Sequence, residues 1–305
     1  MLKSAVLSLV LSLAAASPIL AQEAAPALDL GSSVAAFVKP TNAERTEVVV
    51  AQLRAAGFEP TVETFQGGNE RTGAMEGRNV VATFGGTEGG REILLTAHYD
   101  AVKLRDGSLS HGVVDNAASV VAVIEAAKAL RAQSLNHRIR IILFDQEELG
   151  LIGARKWIEA HGIANVAAVV NSDVAAYGDT LMYGQNNGAQ SAFVTRAVQT
   201  VCTERALQCV GYPVYPPSDD RAFSAAGAPV VSLGFQDQVG AHQMWLAFNG
   251  GQGAATGLAE GFTPQVFRLI HSADDTMEHV EPATVKTAGE TYAAVIARLD
   301  AELAR

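Results

Sequence analysis

The sequence predicts an α/β protein: a three-layer α/β/α sandwich around a mixed, largely parallel central sheet. Short strand-like runs alternate with longer helical stretches along most of the chain, an order that builds a largely parallel sheet between helices. Several of the short runs are continuously apolar, such as Ile141-Ile142-Leu143-Phe144, which suits strands buried on both faces. The 305 residues, 49% hydrophobic and 18% charged, suffice for one large globular domain, and no internal repeat or linker divides them.

Taken in order, residues 1–21 stand apart from that domain. Met1 and Lys3 make a positive start, Ala5 to Ala16 an apolar run, and Ile19-Leu20-Ala21 a small-residue cleavage site before Gln22. The run is too short for a membrane span and reads as a secretory signal peptide, leaving 22–305 as the mature domain. The expected location is periplasmic or secreted. No later segment reaches about 18 consecutive apolar residues, so a soluble monomer that inserts in no membrane is expected. Loss of Lys3 takes the formal net charge from −10 to −11. With no basic run, that acidity argues against nucleic acid or an anionic membrane as partner. Cys202 and Cys209 are the only cysteines. In an exported chain a pair this close is expected as a disulfide, since thiolate zinc sites usually need three or four.

Gln22 to Leu30 is Ala-rich and unpatterned, the composition of a mobile tail. A helix is predicted after Pro40, where Thr41 and Glu44 form a capping box and Gly57 follows the last apolar repeat. Strands are predicted at Thr61–Phe65, Asn79–Phe84 and Ile93–Ala97, then a helix over Asn116–Arg131 and a strand at Arg138–Phe144. A helix over Glu148–His161, strands at Val166–Val170 and Leu181–Gly184, a helix over Gln190–Leu207, a strand at Pro229–Phe235 and a helix over Ala283–Leu303 complete the pattern. One stretch breaks the rhythm. Gln236 to Phe262 carries six glycines with Trp245 and Phe248. At ~25 residues it is long for a simple turn, and the alternatives are a lid or substrate-binding loop, walled by those aromatics, and a poorly ordered surface loop.

The chemistry-bearing residues fall where strands end. His98 and Asp100 follow the Ile93–Ala97 run, Asp145-Gln146-Glu147-Glu148 follows Arg138–Phe144, and Asn171-Ser172-Asp173 follows Val166–Val170. Asp115 stands at a predicted helix start and His271 before an Asp-Asp-Thr turn. In open α/β sheets ligands gather at the carboxyl ends of the strands. Each residue alone has a plain structural reading: a core histidine, a helix cap, an acidic first turn, a turn residue. Together, so many carboxylates at one sheet edge would repel one another without a cation. Two imidazoles (His98, His271) and three carboxylates (Asp115, Glu148, Asp173) are the mixture that binds a pair of zinc ions through one bridging carboxylate. A further glutamate beside a ligand, here Glu147, is what a metallohydrolase needs to deprotonate a water.

At these motifs the chain resembles the secreted co-catalytic di-zinc aminopeptidases of peptidase clan MH, of the bacterial leucyl aminopeptidase type. The matching pieces are His98-Tyr99-Asp100, Gly112-Val113-Val114-Asp115-Asn116-Ala117, Glu147-Glu148-Leu149-Gly150-Leu151-Ile152-Gly153, Asn171-Ser172-Asp173, Ser218-Asp219, and His271 with Asp274-Asp275-Thr276. They stand in family order. The resemblance implies that His98 and Asp173 bind one zinc, Glu148 and His271 the other, and that Asp115 bridges them. It implies Glu147 as general base on the zinc-bridging water, Asp100 as the hydrogen-bond partner orienting the His98 ring, and Tyr215 as the oxyanion-stabilising tyrosine of one branch. The implied substrates are peptides with a free N-terminus. The family's Ser-Asp-His reads Ser218-Asp219-Asp220 here, Cys202 and Cys209 are more widely spaced than in the branch that supplies the tyrosine, and Ile270 replaces the aromatic residue that precedes the last histidine in other branches. Two other enzymes share the fold: a glutaminyl-peptide cyclase, whose tryptophan-rich site contrasts with Trp157 and Trp245 alone here, and a zinc carboxypeptidase, for which Arg221 is the candidate carboxylate-binding cation. A non-catalytic interaction module would have lost ligands or the base, and all are present.

Overall fold

A computed structural model of the protein describes residues 29–87, 89–251 and 257–305. The signal-peptide reading of 1–21, and most of the Ala-rich tail, lie outside the described residues. Two N-terminal helices, α1 (Leu30–Ala35) and α2 (Asn42–Ala55), lead into a hairpin of β1 (Thr61–Asn69) and β2 (Gly73–Phe84). The chain then runs β3 (Glu92–His98), α3 (Ala118–Arg131), β4 (Arg138–Phe144), α4 (Ile152–His161), β5 (Val166–Ser172) and β6 (Thr180–Gly184). It finishes with α5 (Ala192–Glu204), β7 (Gln208–Tyr212), α6 (Asp220–Ala225), β8 (Val230–Gln236), α7 (Gln238–Asn249), α8 (Val266–Leu269) and α9 (Pro282–Leu303).

The strands form one eight-stranded mixed sheet in the order β1-β2-β4-β3-β5-β8-β6-β7. Its centre, β4-β3-β5-β8, is parallel, while β2 and β6 join it antiparallel. Alternation along the central strands sends Leu95 and Ile141 to one core, under α2, α3 and α9, and Leu94 and Ile142 to the other, against Trp157 of α4 and Phe223 of α6. Helices therefore cover both faces, which is why these strands read as unbroken apolar runs. The register sets His98 opposite Phe144 and Thr96 opposite Asn171, so the carboxyl ends of β3, β4 and β5 finish side by side. Among the described residues no helix is long and apolar enough to cross a membrane.

Several boundaries differ from the sequence reading, each for a local reason. The helix expected from Glu148 begins at Ile152 because Gln146 (φ +59°) and Leu151 (φ +60°) turn the chain left-handed and leave Glu147–Gly150 as a loop. Thr41 caps α2, but its hydroxyl donates to Glu44 Oε2 at 2.7 Å while accepting from the Glu44 N–H at 3.2 Å, a variant of the reciprocal box. The α5 helix ends at Glu204, and β7, unpredicted, follows it. The stretch read as either a lid or a surface loop contains a helix, α7, capped by Asp237, whose carboxylate accepts the Gly240 N–H at 2.9 Å. A Cβ at Gly240 would lie 2.8 Å from Asp237 Oδ2 and 2.9 Å from Gln236 Oε1, so the ends of both side chains would have to shift to admit one. Residues 252–256 of that stretch lie outside the described residues.

Cys202 and Cys209 form the expected disulfide, tying the end of α5 to β7 at the sheet edge. Loop closure over so few residues is worth about 2–3 kcal/mol. Intact mass should rise by about two hydrogens on reduction, and the Cys202→Ser/Cys209→Ser protein should remain folded with a lower Tm. Two thiols that alkylate without reductant would contradict the bridge.

Candidate active site

The site is assembled at the carboxyl edge of β3, β4 and β5. His98, the last residue of β3, is buried, with Nε2 3.1 Å from Asp115 Oδ1 and 3.7 Å from Asp173 Oδ1. Asp115 sits in a wide turn, Val113–Ala117, entered through left-handed Gly112 (φ +55°). The Asp275 carboxylate holds that turn, accepting the N–H groups of Val113 (2.8 Å), Val114 (2.7 Å) and Asp115 (3.2 Å). Asn116 binds it to the end of β5, donating to Ser172 O at 3.0 Å and accepting the Val174 N–H at 3.0 Å. His271, half exposed and left-handed (φ +57°), approaches from beyond α8, placing Nε2 3.2 Å from Asp115 Oδ2 and 2.9 Å from Glu148 Oε2. Each oxygen of Asp115 thus faces one histidine.

Two groups could each hold a metal ion, His98 with Glu147 and Asp173, and Asp115 with Glu148 and His271, with donor atoms within 4.8 Å of one another in each group. All five predicted ligands and Glu147 are therefore brought together. Asp100 lies 3.4 Å from His98 Nδ1 without forming a hydrogen bond; its carboxylate accepts the N–H groups of Glu147 (3.1 Å) and Glu148 (3.3 Å) instead. The aspartate after β3 thereby fixes the acidic loop after β4. Tyr215 is buried edge-on against Tyr212, with ring centroids 5.2 Å apart. It packs at Gly234, where a Cβ would meet the Tyr215 hydroxyl at 2.9 Å and Asp173 O at 2.5 Å.

These groups close one end of a cavity of about 450 Å³ lined by Asp115, Glu147, Asp173, Tyr215 and His271. The remaining wall is mostly apolar, built from Met182, Met244, Phe248, Val266, Phe267 and Ile270. Phe248 and Phe267, both partly exposed, pack together in that wall, with centroids 5.8 Å apart. Trp245, anticipated as wall, instead donates to Gly211 O at 3.1 Å. Among the described residues no Lys or Arg lines this cavity. Arg221 lies outside its lining and donates to Asn186 O at 3.2 Å.

Charge makes the centre unstable by itself. Burial, then the neighbouring Asp115, pushes Glu148 up to about 7. Burial raises Glu147 and Asp219 well above the carboxylate range. Asp219 is fully buried, and neither of its oxygens has a hydrogen-bond partner among the described residues. Asp115 and Glu148, accepting from its ring N–H, lift His271 to about 11. Burial opposes the Asp115 charge, but His271 and His98 hold that carboxyl below its usual range. His98 Nδ1, Asp115 Oδ1 and Glu148 Oε1 are also buried without hydrogen bonds. Clustered carboxylates with orphaned oxygens beside two imidazoles are a donor set that fits zinc.

The shifts carry a sign. The unfolded chain releases the Glu148 proton near 4.5, whereas the fold holds it to about 7, so in metal-free protein this group lowers stability as pH rises through that window. His271 acts in the same direction: its contribution is complete below 6.5 and is lost toward about 11. Asp115, held low, contributes stability that is lost only in acid, below its ordinary 3.8. Chelator-treated protein should therefore melt lower at pH ~8 than at pH ~5, and zinc, which displaces those protons, should recover more Tm at the higher pH. A metal-free Tm that rises across this range would contradict the arrangement.

Sequence reading left some of this machinery without a role. Asp275, within Asp274-Asp275-Thr276, holds the backbone of the Asp115 turn. Asp220, in place of the family histidine, is buried, accepts from Asn187 Nδ2 (2.8 Å) and Ser218 N (3.1 Å), and is pushed by burial to about 6. Arg45 carried no signal, being one basic residue in a helix remote in sequence from every motif.

The sequence profile of Peptidase family M28 matches residues 79–296. Aminopeptidase YwaD of Bacillus subtilis is 23% identical over 210 residues, covering 67% of this chain and 40% of that protein. The chain thus spans well under half the length of that relative. Among solved structures, a Zn-dependent exopeptidase from Parabacteroides distasonis superposes with a TM-score of 0.68 at 18% identity, covering 88% of this chain and 95% of the other. The glutaminyl cyclase of Porphyromonas gingivalis gives 0.66 at 20% identity, covering 90% and 97%. At these identities the two structures speak for the fold alone.

Proposed function

The chain belongs to peptidase family M28, and on that premise we propose that it is an exported di-zinc aminopeptidase that removes N-terminal residues from peptides. The observation that carries this reading is the cavity: carboxylates and a histidine at one end, apolar side chains along the rest, and no Lys or Arg in its lining among the described residues. Such an end receives a cationic or neutral amine and repels a carboxylate, which disfavours a carboxypeptidase.

His98 and Asp173 would hold one ion, Glu148 and His271 the other, with Asp115 shared. When bound, such an ion pair lowers the pKa of a water toward neutrality and polarises the scissile carbonyl. Glu147, in the cavity lining and raised by burial, accepts the proton of the attacking water and passes it to the departing amine nitrogen. Asp100 keeps Glu147 and Glu148 in place through their N–H groups. The Tyr215 hydroxyl donates to the oxyanion that forms on the former carbonyl. The Cys202–Cys209 bridge supports a periplasmic or secreted location.

The test is cleavage of paired substrates. Leucyl and phenylalanyl anilides with a free amine should be cleaved, and their N-acetyl forms refused by at least ~10²-fold, because the cap removes the amine that the acidic end of the cavity receives and puts an acyl group in its place. Efficient C-terminal trimming of blocked peptides would establish a carboxypeptidase instead. Ammonia release from glutaminyl peptides without chain cleavage would establish a cyclase.

A further inference from the structure

Helix α2 carries Asn42, Arg45 and Thr46 on one face, and all three reach the loop that follows β3. Asn42 makes a two-point contact with Ala101, donating from Nδ2 to its carbonyl at 3.1 Å and accepting its N–H at 3.0 Å. Thr46 Oγ1 lies 2.7 Å from the Tyr99 hydroxyl, which donates to Arg78 O at 2.6 Å. Arg45 is completely buried. Its Nε donates to Tyr99 O at 2.5 Å, Nη1 to Phe37 O at 2.8 Å and His111 O at 2.7 Å, and Nη2 to Gly112 O at 3.0 Å.

Tyr99 stands between His98 and Asp100, and Gly112 opens the turn that carries Asp115. One guanidinium therefore bonds the backbone of two of the segments that deliver residues to the centre, those of His98 and of Asp115. Every acceptor it uses is a carbonyl, although Asp100, Asp275 and Asp115 lie close enough to feel its charge. A guanidinium out of water must fill its donors or destabilise the fold, so its fixed fork dictates where these carbonyls stand. The helix precedes residue 79, outside the segment matched to the family.

We propose that Arg45, assisted by Asn42, is a positioning residue that sets the metal affinity of the centre by locking loop 98–101 against turn 111–117. The proposal rests on the metal reading above. Electrostatics alone predicts the opposite of a clamp: a positive charge near a cation site weakens binding, so its removal by itself would tighten zinc.

The experiment titrates metal-stripped mature protein with zinc against a chromophoric chelator, with near-UV CD confirming the fold. Arg45→Lys keeps the charge and loses the fork, while Arg45→Met loses both. Both should weaken zinc binding by ~10–100-fold, the scale seen when groups behind metal ligands are removed. Should neither variant fold, Asn42→Ala decides, since it leaves the guanidinium intact and frees Ala101. It should weaken binding by more than about twofold. Folded Arg45→Lys protein that binds zinc as the wild type does, Arg45→Met protein that binds it more tightly, or unchanged binding by Asn42→Ala where that variant decides would each overturn the clamp. A wild type that binds no zinc sinks the metal reading and the clamp with it, an outcome distinct from wild-type binding that the variants match.

Discussion

Glu147→Gln protein should turn over at least ~10²-fold more slowly than wild type while carrying the same metal, the scale expected when a positioned base is lost. The substitution keeps shape and volume and leaves the Glu147 N–H on Asp100 Oδ1 undisturbed. What it removes is a proton acceptor that burial has already raised well above the carboxylate range. The structure makes this a sharp test, because Glu147 lies near enough to His98 and Asp173 to act as a ligand itself. Metal analysis decides between the two roles. Zinc retained with turnover lost assigns Glu147 as the base; zinc lost from the variant makes it a ligand and exchanges its role with that of Glu148.

Asp115→Ala should be the most damaging single change to metal content, emptying both positions and abolishing activity. Its two oxygens face His98 at 3.1 Å and His271 at 3.2 Å, which places it to be shared by the two halves. Removing it leaves the histidines without their common partner and the Asp275 carboxylate still gripping a turn that no longer presents a ligand. His98→Ala, by contrast, should mainly weaken one position. Elemental analysis after dialysis checks both: about two ions in wild type, near none in Asp115→Ala, an intermediate value in His98→Ala. An Asp115→Ala protein that keeps its zinc would show that the halves share no ligand.

The central strands were legible because their burial is extreme. The run Ile141–Phe144 is apolar on both faces, and the strand that holds it has the bounds Arg138–Phe144 read from sequence. The candidate ligands were legible for a related reason, since carboxylates and histidines at strand ends are chemically conspicuous among apolar neighbours. The acidic loop was mistaken for the start of a helix because Glu147-Glu148 suits a first helical turn, and the left-handed backbone at Gln146 and Leu151 has no side-chain signature. Helix α7 was hidden by glycines that mostly follow it rather than interrupt it. Arg45 and Asp275 act on backbone groups far away in sequence, a partnership that no local pattern encodes.

The most direct test of the account follows activity and metal together. Protein stripped by chelation is titrated with zinc, and hydrolysis of a leucyl anilide with a free amine is measured at each step. Turnover should be absent without metal, rise with added zinc and saturate near two equivalents per chain, one for each cluster of ligands. Full activity in protein that holds no metal would contradict it.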